Sequence, residues 1–159
     1  MAIACLRIPH LELRIALLDQ PELDGMPLIL SNPESGRAVV IDATDEASAK
    51  GIRAGMTLRE ANALAPDAVI IMPNPAMASR ISHQILTQLE TLSPLVEADE
   101  QEPGCWYVDL KGLARHYPTT TAAAERMIAC VRPILRPRAG VATARFTARI
   151  ASGIARPGQ

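Results

Sequence analysis

Apolar positions along the chain alternate between short runs and longer periodic stretches, the pattern of strands alternating with helices. Residues 2–8, Ala-Ile-Ala-Cys-Leu-Arg-Ile, form a short run closed by Pro9, as in a buried strand. Leu11, Ile15 and Leu18 then recur at helical spacing over residues 10–19. A turn-rich connector at 21–27 leads into two strand-like runs, 27–30 and 37–41, around a hairpin-like loop from Ser31 to Gly36. Residues 44–50 predict a short helix stopped by Gly51. Thr57 and Glu60 have capping-box spacing, which starts a helix running to about Leu64. Residues 68–71 read as a strand. Met77, Ile81, Ile85 and Leu89 recur every four residues and predict the longest helix, over 76–92. Strands at 95–98 and 106–110, a helix over 122–135 ended by Pro137, a strand at 139–142 and a helix over 144–155 complete the chain. In that last helix Phe146, Ile150 and Ile154 form a stripe expected to face the sheet.

The order is strand–helix, a small insert, then helix–strand–strand–helix–strand–helix. It implies an α+β fold, a mixed sheet with helices packed on one face. No repeat interrupts it.

Composition narrows the function classes. The 159 residues are 48% hydrophobic and 21% charged, which excludes disorder, collagen and coiled coil. No apolar run reaches the ~18 residues of a membrane span, and the first residues lack the basic and apolar regions of a signal peptide. Cys5, Cys105 and Cys130 have no CxxC spacing, so a disulfide framework or zinc site is not expected, and a reducing cytoplasm fits. Cys5 and Cys105 read as buried structural thiols. Aromatics make up 3% of the chain, which disfavours base stacking on aromatic platforms. The net charge of -1 conceals an asymmetry. Residues 126–159 hold seven arginines and no acid, while residues 97–102 hold four acids and no base. Such blocks are either solvated faces or a footprint for a phosphate-bearing partner.

Six segments in order resemble one family, the Y-family (translesion, UmuC/DinB-like) DNA polymerases. Pro21-x-Leu23-x-Gly25-x-Pro27-Leu28 is similar to its opening connector. Gly51-Ile-Arg-Ala-Gly-Met56 with Leu58-Arg-Glu-Ala61, then Ala65-Pro-Asp-Ala68, resemble its "G-V-R-S-G-M-x-L-x-E-A" and "C-P-D-A". Pro94-Leu-Val-Glu97 and Val108-Asp-Leu-Lys-Gly-Leu113 resemble its two palm strands, and residues 140–157 its "G-V-A-x-N-K-F-L-A-K-I-A-S-D-L-A-K-P" without a gap. The resemblance implies a ferredoxin-like palm formed by residues 1–10 and 75–159, with a small fingers lobe at 11–74. Thumb and little-finger domains would follow Pro157, which makes the chain look like an N-terminal fragment.

What the resemblance implies for catalysis is absence. Nucleotide addition uses two Mg²⁺ ions roughly 4 Å apart, held by carboxylates and bound to the triphosphate. The first-strand acids of the family fall on Arg7 and Pro9. A guanidinium there would repel a metal ion, since like charges ~4 Å apart cost about 4 kcal/mol at an effective dielectric of 20. The family's Asp-Glu pair falls on Gly104 and Cys105 counted back from Asp109, or on Glu102 and Pro103 counted forward from Glu97. Glu102 could supply one carboxylate at most. The triphosphate-gripping Tyr and Arg fall on Asp45 and Ser48, and the aromatic that excludes ribose falls on Glu12. Asp109 reads as structural, and His10 and Glu12 as surface polar residues rather than a replacement metal site.

The reading that follows is a catalytically degenerate palm and fingers, most similar to the ImuB-type mutasome subunit, with no cofactor and no metal of its own. Such a protein links DNA, the sliding clamp, a RecA-like accessory protein and a partner polymerase, through regions outside residues 1–159. Arg145, Arg149 and Arg156, within roughly 40° of one another on a helix, are the candidate DNA-backbone contacts. Arg7 is expected to pair with Glu102 or Asp99. The alternative is an active, divergent, Mg-dependent translesion polymerase that recruits Glu102, Asp99 or Asp109 as ligands.

Overall fold

The computed structural model describes residues 2–159, the side chain of Ala114 excepted. The chain divides into two compact units, residues 1–9 with 79–159 and residues 10–78.

The first unit is built on a four-stranded antiparallel sheet of order β5-β6-β1-β7, from β1 (Ile3–Arg7), β5 (Val96–Ala98), β6 (Cys105–Asp109) and β7 (Arg138–Ala142). β1 is central, with Arg7 opposite Cys105 on one side and Arg138 on the other. Strand order and chain order together are those of a ferredoxin-like α+β sheet, as the element pattern implies. Three helices accompany it: α4 (Pro75–Glu90, from Ser79 on), α5 (Thr120–Ala129) and α6 (Arg145–Ile154). Period-2 alternation sends Ala4, Leu6, Trp106 and Val108 to one face, all essentially buried. Ile3, Cys5, Arg7, Cys105 and Tyr107 point to the other.

Helices were expected on one face, and the structure also seats α6 on the second. Gly140 allows this: a Cβ there would lie 2.2 Å from the Ser152 amide nitrogen and 2.4 Å from the Ala148 carbonyl oxygen. The helix surface in contact is therefore its smallest, with Ala148 and Ser152 fully buried. This overturns the stripe assignment. Phe146, Ile150 and Ile154 are 71%, 50% and 82% exposed. At 100° per residue Ile150 lies about 180° from the Ala148/Ser152 face. A second difference concerns α5, expected to reach residue 135. It ends at Ala129, because Arg132 precedes Pro133 and takes an extended backbone (φ -61°, ψ 132°) instead of a helical one.

The second unit carries a three-stranded sheet of order β3-β2-β4, from β2 (Leu28–Leu30), β3 (Asp42–Ala43) and β4 (Val69–Ile71), with α1 (Leu11–Ala16), α2 (Asp45–Ala49) and α3 (Leu58–Leu64). Its core is aliphatic, with Ile29, Val40, Ala43, Ala47, Ile52, Ala61 and Ala65 buried together. The capping box is present, since Glu60 N donates to Thr57 Oγ1 and Thr57 N to Glu60 Oε2. The strand expected at 37–41 is displaced to β3. Val39 is spent instead on an isolated bridge to Thr57.

Candidate functional site

The end of β1 is where the resemblance places a first acid, and here it holds an ion-pair cluster. Arg7 Nη2 lies 2.5 Å from Glu102 Oε1, and Arg149 Nη2 lies 2.5 Å from Glu102 Oε2. The second contact is an ion pair off the hydrogen-bond line, since Oε2 has no aligned donor. The Arg7 and Glu102 side chains are 29% and 23% exposed, shielded enough for the pairing to matter.

Each member is placed by a local feature of the sequence. Asp99 Oδ1 accepts from the amides of Gln101 and Glu102 at 2.8 and 3.0 Å, and Oδ2 accepts from the Tyr107 hydroxyl at 3.1 Å. Those backbone bonds hold the Asp99 carboxyl below its usual range and fix the acidic turn that presents Glu102. Gly104, at φ 88°, closes the turn, and its carbonyl accepts from Ile8 N at 2.8 Å. Gly153 leaves room for the guanidinium: a Cβ there would meet Arg7 Nη1 at 3.1 Å. The resemblance places an Asp at that position.

The expected partner of Arg7 is thus Glu102, while Asp99 serves as scaffold. Of the residues at the two expected placements of the acid pair, Cys105 stands opposite Arg7 in the strand register. Cys105 is buried with its sulfur 3.1 Å from that of Cys5, and the hydrogen bond with Cys5 together with burial pushes its thiol pKa up. Pro9 lies in the segment between β1 and α1 and offers no side-chain donor. Asp109 stands opposite Ile3, four residues from the Arg7 end of the strand, or roughly 13 Å. Its Oδ1 accepts from Lys111 N at 2.7 Å.

The helix α6 arginines differ from one another. Arg145 pairs with Glu97 and sets its guanidinium 5.3 Å from the Tyr107 ring centroid. Arg149 is held by Glu102. Arg156 lies beyond the helix, which ends at Ile154 with Ala155 extended, so the three do not share one helical face as expected.

Asp45 and Ser48, where the resemblance sets a triphosphate grip, lie on α2. Asp45 Oδ1 is 3.4 Å from His10 Nε2, and His10 Nδ1 is 2.9 Å from Asp42 Oδ1. Ser48 is in the same helix and donates its amide to Thr44 O. Sequence reasoning did not find the His10–Asp42 contact, which spans 32 residues and has no motif. His10 has a left-handed backbone, φ 56°, uncommon for a residue with a side chain.

The hydrogen bond to Asp42 raises the His10 pKa above its ordinary value, against an opposing effect of burial. A raised folded-state pKa stabilises the fold fully below the unfolded value near 6.5 and loses that contribution as pH rises through the folded value. Stability is therefore expected to decline from about pH 6.5 upward. Urea titrations at successive pH values should show this decline, and Asp42→Asn should flatten it. An unchanged slope in Asp42→Asn would sink the assignment.

Magnesium does not fit the donors at the β1 end. Both Glu102 oxygens face guanidinium groups, Arg7 stands where a ligand would, and the adjacent strand offers a thiol that Mg²⁺ does not favour. Among the described residues, no group of three or more His, Cys, Asp or Glu side chains is arranged to hold a metal ion. No helix among them is long and apolar enough to cross a membrane.

A ferredoxin-like sheet with a small α/β unit inserted after its central strand is the arrangement that the resemblance implies for a palm and fingers. Comparison with known proteins agrees. The impB/mucB/samB family profile matches residues 11–153, and the chain belongs to that family, as the N-terminal region of a Y-family polymerase-like protein. It is 32% identical over 141 residues to a protein named DNA polymerase IV from Exiguobacterium sibiricum, covering 87% of this chain and 39% of that protein. It is also 32% identical over 146 residues to DNA polymerase IV 2 of Mycobacterium bovis, covering 90% of this chain and 42% of the relative. The chain therefore spans about two fifths of those relatives. Among solved structures it resembles DinB from Sulfolobus solfataricus, with TM-score 0.83, 20% identity and coverage of 99% of this chain and 47% of that one. A post-insertion binary complex of Dbh DNA polymerase gives TM-score 0.82 at 20% identity, over 99% and 47% of the two chains.

Proposed function

We propose that this chain is the palm (residues 1–9 and 79–159) and fingers (residues 10–78) of a protein that has kept the polymerase fold and lost the polymerase reaction. It would serve as an adaptor in DNA repair and error-prone translesion synthesis, in the cytoplasm, in the manner of an ImuB-type subunit. The observation that carries this is the Arg7–Glu102–Arg149 cluster at the end of β1. A two-metal site concentrates negative charge, whereas this one sets two guanidinium groups on one carboxylate. Contacts to a sliding clamp, a RecA-like accessory protein and a partner polymerase would lie outside residues 1–159.

Binding to DNA would be weak and through the backbone. Arg145 and Arg149 reach phosphate only by leaving Glu97 and Glu102, so Arg156 remains the most available of the three. Each phosphate contact contributes about 0.9 to the salt slope, so the expected slope is nearer -0.9 than the roughly -2.7 of three free arginines. Fluorescence anisotropy of a labelled duplex across a salt series measures it.

A second reading is favoured by the relatives' names: an active but divergent polymerase. Primer extension with the protein under Mg²⁺ and Mn²⁺ separates the two. No template-dependent product is expected. Incorporation that vanishes in Glu102→Ala would overturn the adaptor reading and establish the alternative.

A further inference from the structure

Two free thiols meet beneath α6. Cys5 Sγ and Cys105 Sγ are 3.1 Å apart, and both side chains are closed to solvent. The pair spans 100 residues, and the strand register creates it. Ile8 N donates to Gly104 O, and Leu110 N to Ala2 O. The alternation from those bonds makes Cys5–Tyr107 and Arg7–Cys105 non-hydrogen-bonded pairs, in which side chains stand closest. Cys5 and Cys105 are diagonal neighbours across these two pairs, and the twist of the sheet closes that diagonal. From 3.1 Å the sulfurs need approach by only about 1 Å to reach a disulfide bond of about 2.05 Å. Ser152 Oγ lies 3.5 Å from Cys5 Sγ and donates to Arg149 O at 2.7 Å, so its hydroxyl keeps a partner when the sulfur turns away. The hydrogen bond with Cys105, helped by Ser152 and the charge of Arg7, holds the Cys5 thiol below its ordinary range against the effect of burial.

We propose that Cys5 and Cys105 are a reversible redox pair, closing to an intramolecular disulfide when a hydroperoxide oxidises the folded protein. The Cys5 thiolate attacks one peroxide oxygen and the O–O bond breaks. The hydroxide that leaves takes up the proton given by the Cys5 thiol, and Cys5 is left as the sulfenic acid. The Cys105 sulfur then attacks the Cys5 sulfur, the S–O bond breaks, and the second hydroxide takes the Cys105 proton. In sum, two thiols and one hydrogen peroxide give one disulfide and two waters. A thiol reductant reverses the bond by exchange. Cys130 is the comparison thiol, because it is hydrogen-bonded to Arg126 O rather than to a second sulfur. The pair lies within the first unit, and its chemistry is independent of whether the chain polymerises nucleotides.

Peptide mapping of the whole chain tests this. The folded protein is treated with hydrogen peroxide, cleared of oxidant with catalase, alkylated with N-ethylmaleimide in urea and digested with trypsin without reduction. Mass spectrometry should find peptide 1–7 joined to peptide 81–111, two hydrogens lighter than their sum, as the main oxidised product of monomeric protein. Dithiothreitol should abolish the join. Oxidation in urea that unfolds the chain should lower its yield by about fivefold or more and favour the shorter loop between Cys105 and Cys130. Cys130→Ala should keep the join in the folded protein, which needs no change at the pair itself. Three outcomes would each overturn the proposal: Cys5 and Cys105 both still alkylated after peroxide, a sulfinic acid at either in place of the join, or an equal yield from folded and unfolded chains.

Discussion

Gly140→Ala should cost about 4 kcal/mol or more and lower the melting temperature by about 10 °C. The added Cβ would meet three atoms of α6, the Ser152 nitrogen at 2.2 Å, the Ala148 oxygen at 2.4 Å and the Ala151 carbonyl carbon at 2.8 Å. All three are backbone, so no rotamer change relieves the clash and the helix itself must move. Moving α6 uncovers Cys5, Cys105 and Tyr107, which pack with Ala148, and it draws Arg149 away from Glu102. Gly36 is the control, because it has open space around it and no positive φ, and Gly36→Ala should be nearly neutral. Thermal unfolding followed by circular dichroism reads both. A Gly140→Ala protein within 1 kcal/mol of the parent would mean that α6 does not pack on β7 as described.

The next largest effect is expected at Arg7, where Arg7→Asp restores the family's acid. It should destabilise the fold by about 3 kcal/mol, and no polymerase activity should appear. The substitution removes the 2.5 Å pair with Glu102 and sets a second carboxylate beside it. The remaining cation, Arg149, compensates only in part, because its side chain is 46% exposed. Catalysis needs a second ligand as well, and Pro9 and Cys105 provide none. Adding Glu102→Lys to Arg7→Asp reverses both charges and should recover more than half of the loss, a coupling that a double-mutant cycle measures. Additive effects in that cycle would show that Glu102 does not hold Arg7.

Local chemistry made much of this molecule readable. The capping box at Thr57 and Glu60, the four-residue repeat of α4 and the strand runs at 2–8 and 106–110 each depend on neighbours within a turn or a strand, and they fold where the pattern places them. The partner of Arg7 was readable too, because the acidic block at residues 97–102 already held the counter-charge that Glu102 supplies. The Asp42 carboxylate on His10 left no trace in the sequence, because a contact across 32 residues follows from where two loops end.

The clearest division between sequence and tertiary structure is α6. By itself the sequence determined a helix over residues 144–155, with Phe146, Ile150 and Ile154 along one side. It could not determine which side meets the sheet. Hydrophobicity favours burying the large stripe, but burial also requires that two backbones approach. Gly140 has no side chain, and Ala148 and Ser152 have small ones, so the polypeptide comes closest along that line. The closer approach gains dispersion contacts along two whole elements, which a few bulky side chains would have held apart. Only the assembled sheet, with Gly140 and Cys5 side by side, makes that surface available, and in doing so it turns Arg145 and Arg149 toward the acids of residues 97–102.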